Sequence, residues 1–245
     1  MPLQPCRRFE ANIAGRDFVV GDVHGHFELL ERFMLKVNFD TAVDRLFAVG
    51  DLVDRGPDSN QVIEWLLHPW FASVRGNHEQ MIIDCLDGTG DIPRHCKNGG
   101  AWFQELDEAE QARIAVALRS LPFAIEIAQP QGGSIGLVHA EPPVLEGQPV
   151  SWAQVWANLL GREGDEVQQQ AARLALYSRR RIEARDTTPV AGVEAIYLGH
   201  TSVADVHTLG NVVYLDTGCS WSDGRLTGLQ ILNHQPLSIE YLRAP

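Results

Sequence analysis

The chain has 245 residues, 44% hydrophobic and 21% charged, with 32 acidic against 20 basic side chains and a formal net charge of −12. That is enough chain for a sizeable core, and too acidic for the basic face that non-specific nucleic-acid or anionic-membrane binding needs. Residues 1–18 contain no apolar signal-peptide core, no apolar run approaches the roughly 18 residues of a membrane span, and Cys6, Cys85, Cys96 and Cys219 form no C-x-x-C pair, so the expectation is a cytoplasmic protein.

Residues 1–16 are polar and irregular, a loose lead-in or an edge strand. Asp17-Phe18-Val19-Val20 is a short apolar run ended by Gly21, the signal of a buried strand. Phe27, Leu29, Leu30, Phe33, Met34 and Val37 recur at near-helical spacing. Arg45 to Val49 and Phe71 to Val74 are further short strands, closed by Gly50 and by Arg75-Gly76. Between them Pro57 is placed to open a helix at its first position, with Val62, Ile63, Leu66 and Leu67 on its face. Residues 78–86 and 102–120 read as helices, and 124–128 and 135–138 as strands. The stretch 140–193 holds Pro142-Pro143, Pro149 and two helical patterns, 151–160 and 165–183. Strand-like runs return at 195–198, 211–215, 226–232 and 237–241. Alternating strand and helix at the front predicts parallel βαβ units, and closely spaced strands at the end predict antiparallel pairing. The expectation is one mixed α/β domain over residues 1–245, with helical excursions at about 88–120 and 140–193.

The polar residues at the strand ends are more informative than the strands. The first strand delivers Gly21-Asp22-Val23-His24-Gly25, the second Gly50-Asp51-Leu52-Val53-Asp54-Arg55-Gly56, the third Arg75-Gly76-Asn77-His78-Glu79. The strand at 135–138 runs into His139, and the strand at 195–198 into Gly199-His200-Thr201. Ligands of open α/β sheets bind outside the carboxyl ends of the strands, so these side chains are expected to converge. Asp22, His24, Asp51, Asn77, His139 and His200 offer oxygen and imidazole donors and no thiolate, a set suited to Mn, Fe or Zn. They exceed what one tetrahedral ion needs, and a carboxylate can bridge, so a two-metal site of the phosphatase kind is the better fit. Arg55, Arg75 and one of Arg179 to Arg181 are candidates to clamp phosphate oxygens.

These motifs, with Asn98-Gly99-Gly100-x-Trp102-Phe103 and Tyr214-Leu215-Asp216-Thr217-Gly218, resemble the phosphoprotein phosphatase branch of the calcineurin-like metallophosphoesterases, and within it the bacteriophage lambda type and its bacterial relatives. The resemblance spans roughly residues 17–232. It implies an α/β fold of mixed β-sheets, a β-sandwich flanked by helices. It implies that Asp22 and His24 hold a first metal ion, that Asp51 bridges, and that Asn77, His139 and His200 complete a second, with Mn²⁺ the expected ion. A hydroxide held between the metals would be the nucleophile, His78 the general acid, and Asp54 the residue that orients it. Arg55 and Arg75 would bind the phosphoryl oxygens. The Tyr177-Ser178 pair singles out Arg179 as the third such arginine.

The implied activity is hydrolysis of phosphoserine and phosphothreonine in proteins, extending to phosphotyrosine and small phosphomonoesters, with no nucleic-acid or membrane partner. The alternative within the same fold is a symmetrical diadenosine tetraphosphate hydrolase, against which Gly76-Asn77-His78-Glu79 counts, since that group usually carries Asp in the last position. A phosphodiesterase and a non-catalytic binding scaffold are the weaker alternatives. Cys219 to Arg225 also matches the C-x5-R spacing of cysteine-dependent phosphatases, a loop that needs a thiolate cradled by backbone amides. His26, His68, His95, His207 and His234 have no supporting constellation, and Glu79 is expected to serve structure.

Overall fold

The reason four-residue apolar runs suffice as strands is that both faces of each are covered. In the computed structural model, which describes residues 4–231 and 242–243, β1 spans Cys6–Phe9 and β2 Asp17–Val20. Along β2, Phe18 and Val20 pack with Phe27, Leu30 and Phe33, while Val19 faces the opposite way into a cluster with Phe47 and Val74. Such two-sided burial removes the usual polar alternation from a strand.

The front half is two βαβ units. After β2 come α1 (Phe27–Lys36), β3 (Arg45–Ala48), α2 (Val62–Leu67) and β4 (Phe71–Ser73). β2 pairs with β3 and β3 with β4, both parallel. Pro57 does not open α2; a 3-10 turn at Ser59–Gln61 intervenes. Next come α3 (Asn77–Leu86), α4 (Ile92–His95), a π turn at Cys96–Gly100, α5 (Ala101–Gln104) and α6 (Glu108–Arg119). The helix expected over 102–120 is thus split, because Asp107 caps α6 by accepting the Glu110 N–H at 2.9 Å.

The second half begins with the antiparallel pair β5 (Ala124–Ala128) and β6 (Ser134–Val138). α7 (Trp152–Leu159), α8 (Asp165–Tyr177) and α9 (Arg180–Ala184) follow. The pattern at 165–183 is broken at Ser178, whose extended backbone separates α8 from α9 and whose hydroxyl bonds the Glu141 carboxylate. β7 (Ala195–Leu198), β8 (His207–Leu209), β9 (Val212–Tyr214), β10 (Arg225–Leu226), β11 (Gly228–Gln230) and β12 (Leu242–Arg243) complete the described chain. The strand expected at 226–232 is divided between β10 and β11, and the one at 237–241 lies outside the described residues.

One sheet has the order β1-β5-β6-β7-β9-β8 and the other β11-β2-β3-β4, with β10 and β12 forming a small antiparallel pair. Residues 6–9 are therefore the edge strand, parallel to β5. Between the two main sheets lies a core that includes Val19, Phe47, Val74, Ile125, Ile135, Leu137, Tyr197 and Leu229. Helices cover both outer faces, with Phe33 and Ile82 in one cluster and Trp152 and Leu176 in the other. The result is a mixed α/β sandwich flanked by helices. Among the described residues, no helix is long and apolar enough to cross a membrane.

Candidate active site

The carboxyl ends of β2, β3, β4, β6 and β7 meet at one rim of the sandwich, and the polar residues just beyond them meet there too. A cleft of about 240 Å³ is lined at this rim by Asp22, His24, Asp51, Arg55, Asn77, His78, Arg179 and His200, among others. Reaching it strains the backbone. His24, Asp51, Asp54, Arg55 and His200 all have φ between 46° and 71°, in the left-handed region, and the remaining non-glycine residues of that kind among the described residues are Asn38 and Arg185. Each such residue costs roughly 1–3 kcal/mol, and this strain gathers where side chains are aimed by the loops rather than by the strands.

Asp51 is the centre of the cleft. Its Oδ2 lies 3.8 Å from His24 Nε2 and 3.9 Å from His78 Nε2, and its Oδ1 lies 3.3 Å from His139 Nε2. Two groups of donor atoms share it: His24, Asp51 and His78, and Asp51, His139 and His200, each within 4.8 Å of one another. Asn77 Oδ1 sits 3.0 Å from His139 Nε2 and 2.7 Å from His200 Nδ1. Asp22 is on the same wall, its carboxylate accepting the His200 N–H at 3.0 and 3.2 Å.

The donor set fits divalent cations on four counts. His24 and His139 point Nδ1 at the carbonyls of Val53 (3.1 Å) and Val49 (2.8 Å), which places the proton there and leaves the Nε2 lone pairs facing the cleft. His200 Nε2 is buried with no hydrogen-bond partner among the described residues. Three buried carboxylates, Asp22, Asp51 and Asp216, crowd together. Burial, then Asp216 and Asp51, push the Asp22 carboxyl well above its usual range, and burial likewise raises Asp216. Such crowding calls for a compensating positive charge. Burial pushes His24 and His200 down to about 3, so both imidazoles are neutral, the form that ligates a metal. Asp51 goes the other way: burial opposes its charge, but His139 and His78 outweigh it and hold it well below the usual carboxylate range.

Next to this centre stands an acid–orienter pair. His78 Nδ1 donates to Asp54 Oδ2 at 2.7 Å. Burial disfavours a charged imidazole, but Asp51 and the Asp54 hydrogen bond outweigh it and raise the His78 pKa above its ordinary value. Arg55 reaches across both rings, with Nη1 2.8 Å from His24 Nε2 and Nη2 3.2 Å from His78 Nε2, and its guanidinium lies over the Trp221 ring.

The three arginines expected on phosphate divide. Arg55 and Arg179 line the cleft. Of the basic run, Arg180 turns to Glu141 at 3.8 Å, and Arg181 is buried against the carbonyls of Asp186 and Thr188, which leaves Arg179 as the member that faces the cleft. Arg75 lies elsewhere. It is 4% exposed, donates to Gln80 Oε1 (3.0 Å) and the Arg119 carbonyl (2.6 Å), and stacks on Phe123. Its guanidinium is committed to the packing of α3 and α6 and does not line the cleft. The third guanidinium there belongs to Arg94, which sequence reasoning did not single out.

His95, Trp102 and Asp216 also belong to the site. His95 and Trp102 bond Asp54, and Asp216 lies on the cleft wall with its carboxylate on Ser202 Oγ and the Gly218 N–H. Glu79 is buried and structural as expected, accepting the N–H groups of Asp51, Leu52 and Gly76 at 2.6–2.9 Å. Cys219 is 1% exposed, and burial, then Asp216 and Asp22, push its thiol well above the usual range. That removes the thiolate the C-x5-R alternative requires.

Comparison with known proteins identifies the family. Residues 18–234 match the calcineurin-like phosphoesterase family. The chain is 31% identical to serine/threonine-protein phosphatase 2 of Escherichia coli (strain K12), over 94% of this chain and 100% of that protein. It is 33% identical to a symmetrical bis(5'-nucleosyl)-tetraphosphatase of Pseudomonas putida (strain W619), over 65% of this chain but 52% of that protein. A protein serine/threonine phosphatase from Saccharomyces cerevisiae superposes with a TM-score of 0.64 at 18% identity, covering 99% of this chain and 85% of its own, which speaks for the fold. The chain belongs to the calcineurin-like phosphoesterase family, the phosphoester hydrolases that work through a dinuclear metal centre.

Proposed function

We propose that the protein is a metal-dependent phosphomonoesterase of the serine/threonine protein phosphatase kind, acting on phosphoprotein and small phosphomonoester substrates. The observation that carries this reading is the seat of Asp51, one carboxylate with one oxygen toward each donor cluster, beside an acid–orienter pair in a cleft lined by three guanidinium groups. Asp22, His24 and Asp51 would hold one ion, and Asp51, Asn77, His139 and His200 the other. Two divalent ions, for which the oxygen and imidazole donor set suits Mn²⁺, Fe or Zn, would supply Lewis acidity toward the phosphoryl group and acidify bound water.

The chain's own groups do the rest. Arg55 and Arg179 bind and orient the phosphoryl oxygens by charge-assisted hydrogen bonds. His78 carries a proton on Nε2 and gives it to the departing serine or threonine oxygen. Asp54 accepts the Nδ1 hydrogen, which keeps the ring aimed and stabilises it when charged. The full-length match to a protein phosphatase, against a match to half of a tetraphosphatase, favours the monoester reading.

A parallel assay separates the two. The Mn²⁺-loaded chain is expected to turn over a phosphoserine peptide faster than diadenosine tetraphosphate. Rapid cleavage of the tetraphosphate with an inert phosphopeptide would replace the proposal with the polyphosphate alternative.

A further inference from the structure

Asp54 carries more donors than orienting one histidine requires. The residue is 0% exposed. Beside His78 Nδ1, His95 Nε2 reaches its Oδ2 at 3.0 Å and its Oδ1 at 3.2 Å, and Trp102 Nε1 donates to Oδ1 at 2.8 Å. His95 is itself buried, and its Nδ1 has no partner among the described residues. The ring hydrogen therefore belongs on Nε2, where it donates to the carboxylate; on Nδ1 it would be a buried donor left unpaired.

The backbone around this contact is shaped for it. Gly99 takes φ 100° inside the π turn, and its carbonyl accepts the Arg55 N–H at 3.3 Å. A Cβ on Gly99 would stand 2.6 Å from Arg55 N, and one on Gly100 would stand 2.0 Å from His95 Nε2. Two consecutive glycines thus let residues 95–102 close onto Asp54 and Arg55, which themselves sit at φ 71° and 70°. A strained carboxylate-bearing loop is clamped by a second segment that supplies two N–H donors.

We propose that His95, together with Trp102, is a positioning residue for proton delivery: its Nε2–H and the indole N–H hold the Asp54 carboxylate alongside the His78 contact, fix its rotamer, and so hold His78 Nε2 on line with the leaving oxygen. The inference rests on the assignment of His78 as general acid. Neither His95 nor Trp102 lines the cleft, so both act through Asp54 and not on substrate.

A leaving-group comparison tests this on the full-length Mn²⁺-loaded protein. An alkoxide leaving from phosphoserine needs the proton; an aryl oxide leaving from p-nitrophenyl phosphate needs it far less. His95→Phe and Trp102→Phe are expected to lower kcat on a phosphoserine peptide about tenfold, short of the roughly hundredfold or more that losing a general acid outright removes. KM and metal content stay put, and kcat on p-nitrophenyl phosphate falls less than about twofold. His95→Gln, which returns an N–H donor near the Nε2 position, restores most of the loss. An equal fall on both substrates, no fall on either, or a glutamine variant no better than phenylalanine would overturn the proposal. Should His95→Phe yield no soluble protein, Trp102→Phe decides alone, since it removes the indole N–H and keeps an aromatic ring beside Phe103. His78→Asn run alongside separates the two levels of the argument. If it shows no leaving-group contrast, the acid assignment itself fails; if it shows the contrast and the His95 and Trp102 variants do not, only this inference fails.

Discussion

Arg55 and Arg75 occupy matching places, each in a glycine-flanked motif at a strand end, yet they do different work. Arg55 spans two cleft imidazoles, whereas Arg75 is sealed between α3 and α6 on the Arg119 carbonyl and Phe123. Arg75→Met is therefore expected to lower the unfolding free energy by about 2 kcal/mol, the loss of charged-donor hydrogen bonds in a buried place. Phosphate inhibition should stay within about twofold. Denaturant unfolding beside inhibition kinetics checks this, and a large loss of phosphate affinity at unchanged stability would return Arg75 to the cleft. The strand-end donors were legible because each came directly after an apolar run and a glycine. The direction of Arg75 was not, because Gln80, Arg119 and Phe123 settle it and no motif names them. Arg94 and His95 escaped notice for the same reason: their meaning comes from the cleft and from Asp54, 41 residues away from His95.

At the scale of elements, the site is held by the join between the β3 loop and the start of α3. Glu79 makes that join. Its Oε2 accepts the N–H groups of Asp51 and Gly76, and its Oε1 that of Leu52, while the residue caps its own helix. Glu79→Gln turns one acceptor into a donor facing backbone N–H groups. The expected cost is about 1–3 kcal/mol in denaturant unfolding, with faster hydrogen exchange at the Asp51 and Leu52 amides. An unchanged midpoint would mean that Glu79 does not tie the two motifs. The elements themselves are legible in the sequence where apolar runs are short and bounded, as at β2, β3, β5 and β7. They were misread where a helical pattern ran on. The break at Ser178 depends on Glu141, 37 residues earlier, and that break is what turns Arg179 toward the cleft while Arg180 and Arg181 face elsewhere. β8 was missed because His207-Thr208-Leu209 is short and mostly polar, and gains its strand character only by pairing with β9.

For the whole molecule, the formal charge of −12 and the affinity for an anion meet at one place. Three arginines (Arg55, Arg94 and Arg179) line the cleft along with three carboxylates (Asp22, Asp51 and Asp216). Two divalent ions bound there would make the cleft cationic within an acidic surface. Such a cleft would suit a single phosphoryl group. On the proposed function, two ions share Asp51 and turnover depends on both. The most direct measurement strips the chain with a chelator and titrates Mn²⁺ back, tracking bound equivalents and phosphopeptide turnover in the same samples. The expected result is no turnover after stripping, recovery that completes only as the second equivalent binds, and neither recovery nor two-site binding in Asp51→Asn. Full turnover by the metal-free chain, or recovery complete at one equivalent, would contradict it.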